Sequence, residues 1–170
     1  KQLIDKYNQP VPRYTSYPPA NFFQSPFGED IANELIIKSN NVVTEAISLY
    51  IHVPFCSHVC HFCACNSCLA PQKSEVEAYF SALKKELIHL ADKLRTNRPV
   101  MQVHWGGGTP NGVAIRYLKE VMDVIYQNFK VNNNAEIAIE AHPGYLDMKQ
   151  LEALKNIGFT RISLGIQDIN

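Results

Sequence analysis

Cys56-Ser57-His58-Val59-Cys60-His61-Phe62-Cys63 follows directly on Leu49-Tyr50-Ile51-His52-Val53, which reads as a buried strand, and Cys65 comes two residues later. The C-x3-C-x2-C spacing places three thiols on one short loop, where each can bind one corner of an iron–sulfur cube. Such clusters usually take four cysteine ligands. Three ligands leave one iron open, and an open metal position generally means chemistry, because structural sites close their coordination. The competing reading is zinc. Zinc sites favour paired C-x2-C or C-x2-H units. Here zinc would have to draw on Cys56, Cys60, Cys63 and Cys65 from one tight loop, or recruit His58 or His61.

Working outward from the loop, strands and helices alternate. Ser74-Glu75-Val76-Glu77 reads as a capping box, with the Ser74 hydroxyl and the Glu77 carboxylate satisfying free backbone N–H groups. Apolar residues then recur at Val76, Phe80, Leu83, Leu87, Leu90 and Leu94, one face of a long amphipathic helix. Beyond Pro99, Val100-Met101-Gln102-Val103-His104-Trp105 reads as a second strand running into a glycine turn. A second helix carries Tyr117, Leu118, Val121, Met122 and Ile125, and 135–140 alternates as a third strand. A third helix runs from about Asp147 to Ile157, stopped by Gly158, and 160–166 forms the fourth strand.

Repeats of this kind imply an α/β fold of parallel strands joined by right-handed crossovers. In such folds the active site lies at the C-terminal ends of the strands. The residues that carry chemistry sit at those ends: Cys56 after strand one, Gly106-Gly107-Gly108 after strand two, Glu140 after strand three, Gln167 and Asp168 after strand four. Four strand ends converge on one rim. The glycine triplet, Gly106-Gly107-Gly108-Thr109-Pro110, lets a ligand approach the backbone because no Cβ stands in the way. The plainer reading of the isolated triplet is a tight turn that merely needs positive φ angles. Neither G-x-G-x-x-G nor G-x-x-x-x-G-K-[ST] is present, which disfavours a nucleotide-phosphate loop.

Composition narrows the class without deciding it. The 170 residues are 46% apolar, and all five cysteines fall between Cys56 and Cys68. That suits one globular domain or part of a larger one. Sixteen basic residues balance sixteen acidic ones, so no footprint for nucleic acid or anionic lipid is present. No apolar run approaches the ~18 residues of a transmembrane helix. The first residues, Lys1 to Lys6, lack the apolar core of a signal peptide. An odd number of clustered cysteines without an export signal suits a metal site in a reducing cytoplasm rather than a disulfide framework. The absence of a starting Met is read as missing N-terminal residues.

The cysteine spacing resembles the signature of radical S-adenosylmethionine (SAM) enzymes, in which SAM occupies the open iron. The likeness goes further. Tyr50-Ile51-His52-Val53-Pro54-Phe55-Cys56, Ala64-Cys65-Asn66, His104-Trp105-Gly106-Gly107-Gly108-Thr109-Pro110 and Gly165-Ile166-Gln167-Asp168 all resemble the oxygen-independent coproporphyrinogen III oxidase (dehydrogenase) family of haem biosynthesis. Pro12-Arg13-Tyr14-Thr15-Ser16-Tyr17-Pro18 resembles the arm that precedes the barrel there, and the match spans Tyr7 to Asn170.

The resemblance implies a partial (β/α)6 radical SAM barrel, with an arm and short helix over 1–46 and the first part of the barrel over 47–170. It implies a [4Fe-4S] cluster on Cys56, Cys60 and Cys63. SAM contacts are carried over to Tyr50, Phe62, Gly107, Gly108, Thr109, Glu140 and Gln167. The glycines then suit the amino group of SAM's methionyl part, and Phe62 offers a face on which adenine could stack. The plainer readings are a strand-end aromatic for Tyr50, a hydrophobic plug for Phe62, a solvated carboxylate for Glu140 and a strand-end cap for Gln167. Cys65 lies too near Cys63 for an easy fourth cluster ligand, so it is assigned near the substrate, against the alternative of a spare thiol. Cys68 has no assignable counterpart. Arg13 could meet a substrate carboxylate or be a surface cation. His52 and His104 read as hydrogen-bonded core histidines, and His89 has no functional case.

In the family, electron transfer to SAM yields methionine and a 5′-deoxyadenosyl radical, which removes hydrogen from the β-carbon of a substrate propionate. Loss of carbon dioxide and one electron leaves a vinyl group, twice over, giving protoporphyrinogen IX from coproporphyrinogen III. The cofactor carries the hard chemistry while the protein positions and protects. The implied partners are coproporphyrinogen III and a flavodoxin- or ferredoxin-like electron donor, with no nucleic acid, no membrane and a monomer at full length. Two rival classes stand beside it. A haem chaperone on the same scaffold is disfavoured by Cys65 and the Pro12–Pro18 arm. A zinc-binding interaction module is disfavoured by the strand–helix repeats and the glycine turn.

The family is longer than this chain, so later strands and a C-terminal substrate-covering domain are expected beyond Asn170. An open sheet edge there exposes unpaired backbone. The expectation is that these 170 residues alone bind a cluster poorly, aggregate and do not turn over. Asn111 and Ala141-His142-Pro143 depart from the commonest family residues.

Overall fold

The computed structural model describes residues 2–8, 19, 22–23, 27–41, 45–58, 60–61, 63, 65–69, 72–94 and 98–166. The chain divides into two compact units, 1–35 and 36–170. In the first, α1 (Gln2–Tyr7) exposes all of its residues. The Pro12–Pro18 arm, Arg13 included, lies outside the described residues, as do Phe62, Ala64 and Gln167 to Asn170.

Beyond helix α2 (Glu29–Ser39), the second unit is built on four parallel strands. They are β1 (Ile47–Val53), β4 (Val100–Gly107), β5 (Val131–Ala141) and β6 (Arg161–Leu164), in that spatial order. A separate two-stranded parallel ribbon pairs β2 (Phe55–Cys56) with β3 (Cys68–Leu69). Three helices connect the main strands: α3 (Lys73–Lys93), α4 (Ile115–Asn128) and α5 (Met148–Ile157). Each connection within the four-stranded sheet therefore runs through a helix, the usual crossover for parallel strands.

The period-two alternation of the strands sorts two faces. Leu49, Ile51 and Val53 of β1, Val103 and Trp105 of β4, and Ile137 and Ile139 of β5 are buried in one core with Phe80, Leu87, Leu118, Met122, Ile125 and Leu154 from the helices. Each large apolar side chain buried in this way contributes roughly 1.5–3 kcal/mol. The intervening positions carry Tyr50, His52, Gln102, His104, Glu136 and Glu140, which interact with one another on the opposite face. Tyr50 stacks on His104 at 5.9 Å between ring centres, the His104 Nε2 lies 3.1 Å from Glu140 Oε1, and Gln102 donates to Glu136 at 3.1 Å. The two histidines expected in the core are hydrogen-bonded, yet they sit on this polar face. Alternation places them there, because their neighbours Ile51, Val53, Val103 and Trp105 take the core side.

The helix ends explain the connections. The capping box expected at Ser74 and Glu77 is displaced by two residues: α3 begins at Lys73, and the Gln72 N–H donates to the Glu75 carboxylate at 2.8 Å. Helix α4 buries Tyr117, Leu118, Val121, Met122 and Ile125, the single stripe its spacing requires. Asp147 caps α5 by accepting from the Gln150 N–H at 2.7 Å. Gly158 ends it at φ 112°, with the Phe159 N–H reaching the Leu154 carbonyl and the Gly158 N–H the Lys155 carbonyl, a Schellman closure. Strand β4 extends two residues past Trp105, so Gly106 and Gly107 belong to the strand and only Gly108 begins the turn.

Candidate active site at the strand ends

The C-terminal ends of β4, β5 and β6 and the cysteine loop that follows β1 border one cleft of about 460 Å³. Along it lie the thiols of Cys56, Cys60, Cys63 and Cys65. Gly107, Gly108, Thr109 and Glu140 line it as well, and Ser163, Leu164 and Gly165 close it on the β6 side. Eight of the eleven residues singled out in the sequence thus share one cavity. Tyr50 stands beside it: a Cβ on Gly106 would come within 2.9 Å of the Tyr50 hydroxyl and 3.0 Å of Glu140 Oε2. Phe62 and Gln167 belong to the segments outside the described residues.

Backbone contacts fix the cysteine loop against the glycine turn. The Gly108 N–H donates to the Val53 carbonyl at 2.7 Å, and the Thr109 N–H to the Phe55 carbonyl at 2.9 Å. The Thr109 hydroxyl points at Cys56 Sγ at 3.6 Å. Glycine is required twice. Gly107 has φ 118°, and a Cβ there would stand 2.8 Å from the His52 ring and the Val53 carbonyl. A Cβ on Gly108 would stand 2.7 Å from Cys56 Sγ and 2.9 Å from the Pro54 and Phe55 carbonyls. The far end of the loop is tied by the Cys68 N–H, which donates to the Pro54 carbonyl at 2.8 Å and continues into the β2–β3 ribbon. Cys68 thus contributes through its backbone, while its side chain is exposed. Below the ribbon, Phe55 packs edge-on against Tyr79, whose hydroxyl donates to the His52 carbonyl.

The thiols differ in acidity. The Cys65 N–H donates to Cys63 Sγ at 3.4 Å, and this contact holds the Cys63 thiol below the ordinary value. Cys65 is pushed up by its hydrogen bond with Cys63, by partial burial, and by the negative charge of Cys63, Glu140 and Cys56. Tyr50 is raised by burial first and then by Glu140 and Cys65. Tyr50 also lies 3.1 Å from His52 Nδ1, and His52 Nε2 is 2.7 Å from the Asn66 carbonyl. That contact joins the polar face to the loop beside Cys65.

Among the described residues, no three His, Cys, Asp or Glu side chains gather as ligands of a single ion. An iron–sulfur cube makes a different demand, one thiolate for each iron corner. Three cysteines of one loop lining one cleft fit that demand, and Gly107 and Gly108 leave room where a Cβ would intrude.

Polar residues of the cleft that carried no functional role in the sequence include Ser57, Ser67, His142, Tyr145 and Ser163. Ser57 is hydrogen-bonded to Tyr145 and lies 2.9 Å from His58 Nδ1. His142 and Pro143 directly follow β5, so the strand-end rule that found Glu140 could have found His142. Ser57 and Tyr145 meet from positions 88 residues apart, and no local signal announces that contact.

Parallel strands ending in a thiol loop and a glycine wall define the class. Residues 50–170 match the radical SAM superfamily, and the chain belongs to it. Across 169 residues, 99% of this chain, it is 41% identical to the oxygen-independent coproporphyrinogen III oxidase of Synechocystis. It is 40% identical over 168 residues to the enzyme of that name from Escherichia coli K12 and 36% identical over 171 residues to that from Helicobacter pylori J99. The solved structure of coproporphyrinogen III oxidase from Escherichia coli, a radical SAM enzyme, superposes with a TM-score of 0.85 at 36% identity over the whole of this chain. The chain spans only 36–37% of the length of these relatives. No helix among the described residues is long and apolar enough to cross a membrane.

Proposed function

We propose that this chain forms the cluster- and SAM-holding part of an oxygen-independent coproporphyrinogen III oxidase. In this reading the enzyme converts two propionates of coproporphyrinogen III to vinyl groups with loss of carbon dioxide. The observation that carries the reading is the convergence of Cys56, Cys60, Cys63 and Cys65 with Gly107, Gly108 and Glu140 in one cleft at the strand ends. The substrate is inferred from the names of relatives about 40% identical across nearly the whole chain.

Cys56, Cys60 and Cys63 hold the [4Fe-4S] cluster. When bound, cluster and SAM together supply reductive cleavage of a carbon–sulfur bond to give a carbon radical. The rest falls to the chain. The N–H groups of Gly108 and Thr109 are engaged by Val53 and Phe55, so the turn serves a SAM ammonium through its carbonyl acceptors. Glu140 adds a carboxylate to the same cleft. Tyr50, kept protonated by its surroundings, serves as a hydroxyl donor. Phe62 and Gln167 complete the SAM site in this proposal. Cys65, whose thiol is held neutral by its neighbours, faces the substrate side as a hydrogen donor and does not ligate iron. A cluster of this kind needs a reducing compartment, here the cytoplasm, and a flavodoxin- or ferredoxin-like electron donor. The full-length protein is proposed to act as a monomer.

The test is anaerobic reconstitution of the full-length protein with iron and sulfide, then incubation with coproporphyrinogen III, SAM and a reductant, with products analysed by mass. The expected result is a product lighter by two carbon dioxide units and their hydrogens, with 5′-deoxyadenosine formed. SAM cleavage without decarboxylation overturns the substrate assignment. Tight haem binding under the same conditions moves the function to a chaperone.

A further inference from the structure

His142 stands where β5 ends, and its ring borders the same cleft as Cys56, Cys60 and Cys63. Three features fix it in place. Its Nδ1 accepts the Gly144 N–H at 3.0 Å, which leaves the proton of the neutral ring on Nε2. Its backbone is held on both sides by Asn111, a side chain only 2% exposed: the His142 N–H donates to Asn111 Oδ1 at 2.8 Å, and Asn111 Nδ2 donates to the His142 carbonyl at 3.1 Å. Asn111 is held in turn by Gln150, through its amide at 3.1 Å and its carbonyl at 2.9 Å. The ring also lies edge-on to His58, inside the cysteine loop, at 6.4 Å, and 5.2 Å from Tyr145, which bonds Ser57 of that loop.

A buried amide with both its N–H donors and its oxygen engaged is a rigid mount. The imidazole it carries is exposed and has a defined donor atom. The two departures singled out in the sequence, Asn111 and His142, are thus partners in one bracket. We propose that His142 is a donor to the iron–sulfur group held by Cys56, Cys60 and Cys63, its Nε2–H bonding to that group's sulfur and raising its reduction potential. Hydrogen bonds to cluster sulfurs are among the factors that set such potentials, because they stabilise the extra negative charge of the reduced state. The inference rests on the proposed cluster. It concerns the potential, not the assembly, of that cluster.

The experiment compares the reconstituted full-length wild-type protein with its His142→Phe variant, which keeps a flat ring without a donor, and its His142→Gln variant, which keeps an N–H donor. Iron and sulfide content is measured first, then the midpoint potential by electron paramagnetic resonance of poised samples, and SAM affinity by equilibrium binding. The expected result is full iron content in all three proteins, a clearly more negative potential in His142→Phe, and a potential near wild type in His142→Gln. Equal potentials in all three overturn the proposal, even if SAM affinity falls in His142→Phe, because the donor then serves SAM. Loss of iron in His142→Phe assigns the ring to assembly and also overturns it. A wild-type protein that takes up no cluster overturns the proposed function itself, and this inference with it.

Discussion

Gly108→Ala adds one methyl group at the tightest point of the site. The added carbon would sit 2.7 Å from Cys56 Sγ and 2.9 Å from both the Pro54 and Phe55 carbonyl oxygens. A flexible side chain could swing away, but two of these three atoms are backbone. They belong to the segment that also accepts the Thr109 N–H at 2.9 Å and the Cys68 N–H at 2.8 Å. Overpacking of this kind costs roughly 1–3 kcal/mol. Weakening one backbone hydrogen bond adds about 1 kcal/mol. The expected loss is therefore about 2–4 kcal/mol, with the cysteine loop pushed off the glycine wall. Gly28→Ala is the control, since a Cβ there has nothing within 4 Å. The assay is urea denaturation of the metal-free protein followed by circular dichroism, with iron content after reconstitution as a second readout. A Gly108→Ala protein matching Gly28→Ala in both measurements would refute the claim that this close approach shapes the site.

Three further outcomes follow from the same geometry. Asn111→Ala strips the partners from the His142 N–H and carbonyl and from Gln150 Oε1, while the bond from Gln150 Nε2 to the backbone carbonyl of residue 111 remains, and should cost about 1–3 kcal/mol for groups left unsatisfied; denaturant unfolding checks it, and a change within error contradicts the bracket. In metal-free, reduced protein Cys63 should be alkylated before Cys65. A thiol lowered from its usual value carries more thiolate below that pH and a raised one carries less; peptide mass mapping after brief iodoacetamide exposure at pH 8 reads the order, and faster labelling of Cys65 contradicts it. Single Ser substitutions at Cys56, Cys60 or Cys63 should abolish iron retention, whereas Cys65→Ser should keep the iron and lose turnover; iron loss in Cys65→Ser would make it a ligand.

The sheet was legible because its signals are local. Alternation in 100–105 and 135–140, the stripe from Tyr117 to Ile125 and the Asp147–Gly158 pair of helix ends are each decided within about a dozen residues. The thiol loop and the glycine wall were legible for a second reason: parallel strands carry chemistry at their C-terminal ends, and those ends could be counted along the chain. What escaped was set by neighbours distant in sequence. The β2–β3 ribbon needs Phe55 to meet Cys68 across the loop, and neither residue announces that pairing. The Asn111–His142–Gln150 bracket joins three elements through one side chain that, read alone, is an ordinary turn residue. The displaced cap on α3 is a milder case. Gln72 and Glu75 obey the same three-residue rule as Ser74 and Glu77, and Pro71 before them does not say which pair the helix uses.

The central claim is that Cys56, Cys60 and Cys63 hold a [4Fe-4S] cluster with one iron left for SAM. The measurement that tests it most directly is electron paramagnetic resonance of the reduced, reconstituted full-length protein, recorded with and without SAM. A [4Fe-4S] signal that changes on adding SAM, and is absent from Cys56→Ser, Cys60→Ser and Cys63→Ser, is the predicted result. A signal indifferent to SAM, or one that survives loss of any of the three thiols, would contradict it.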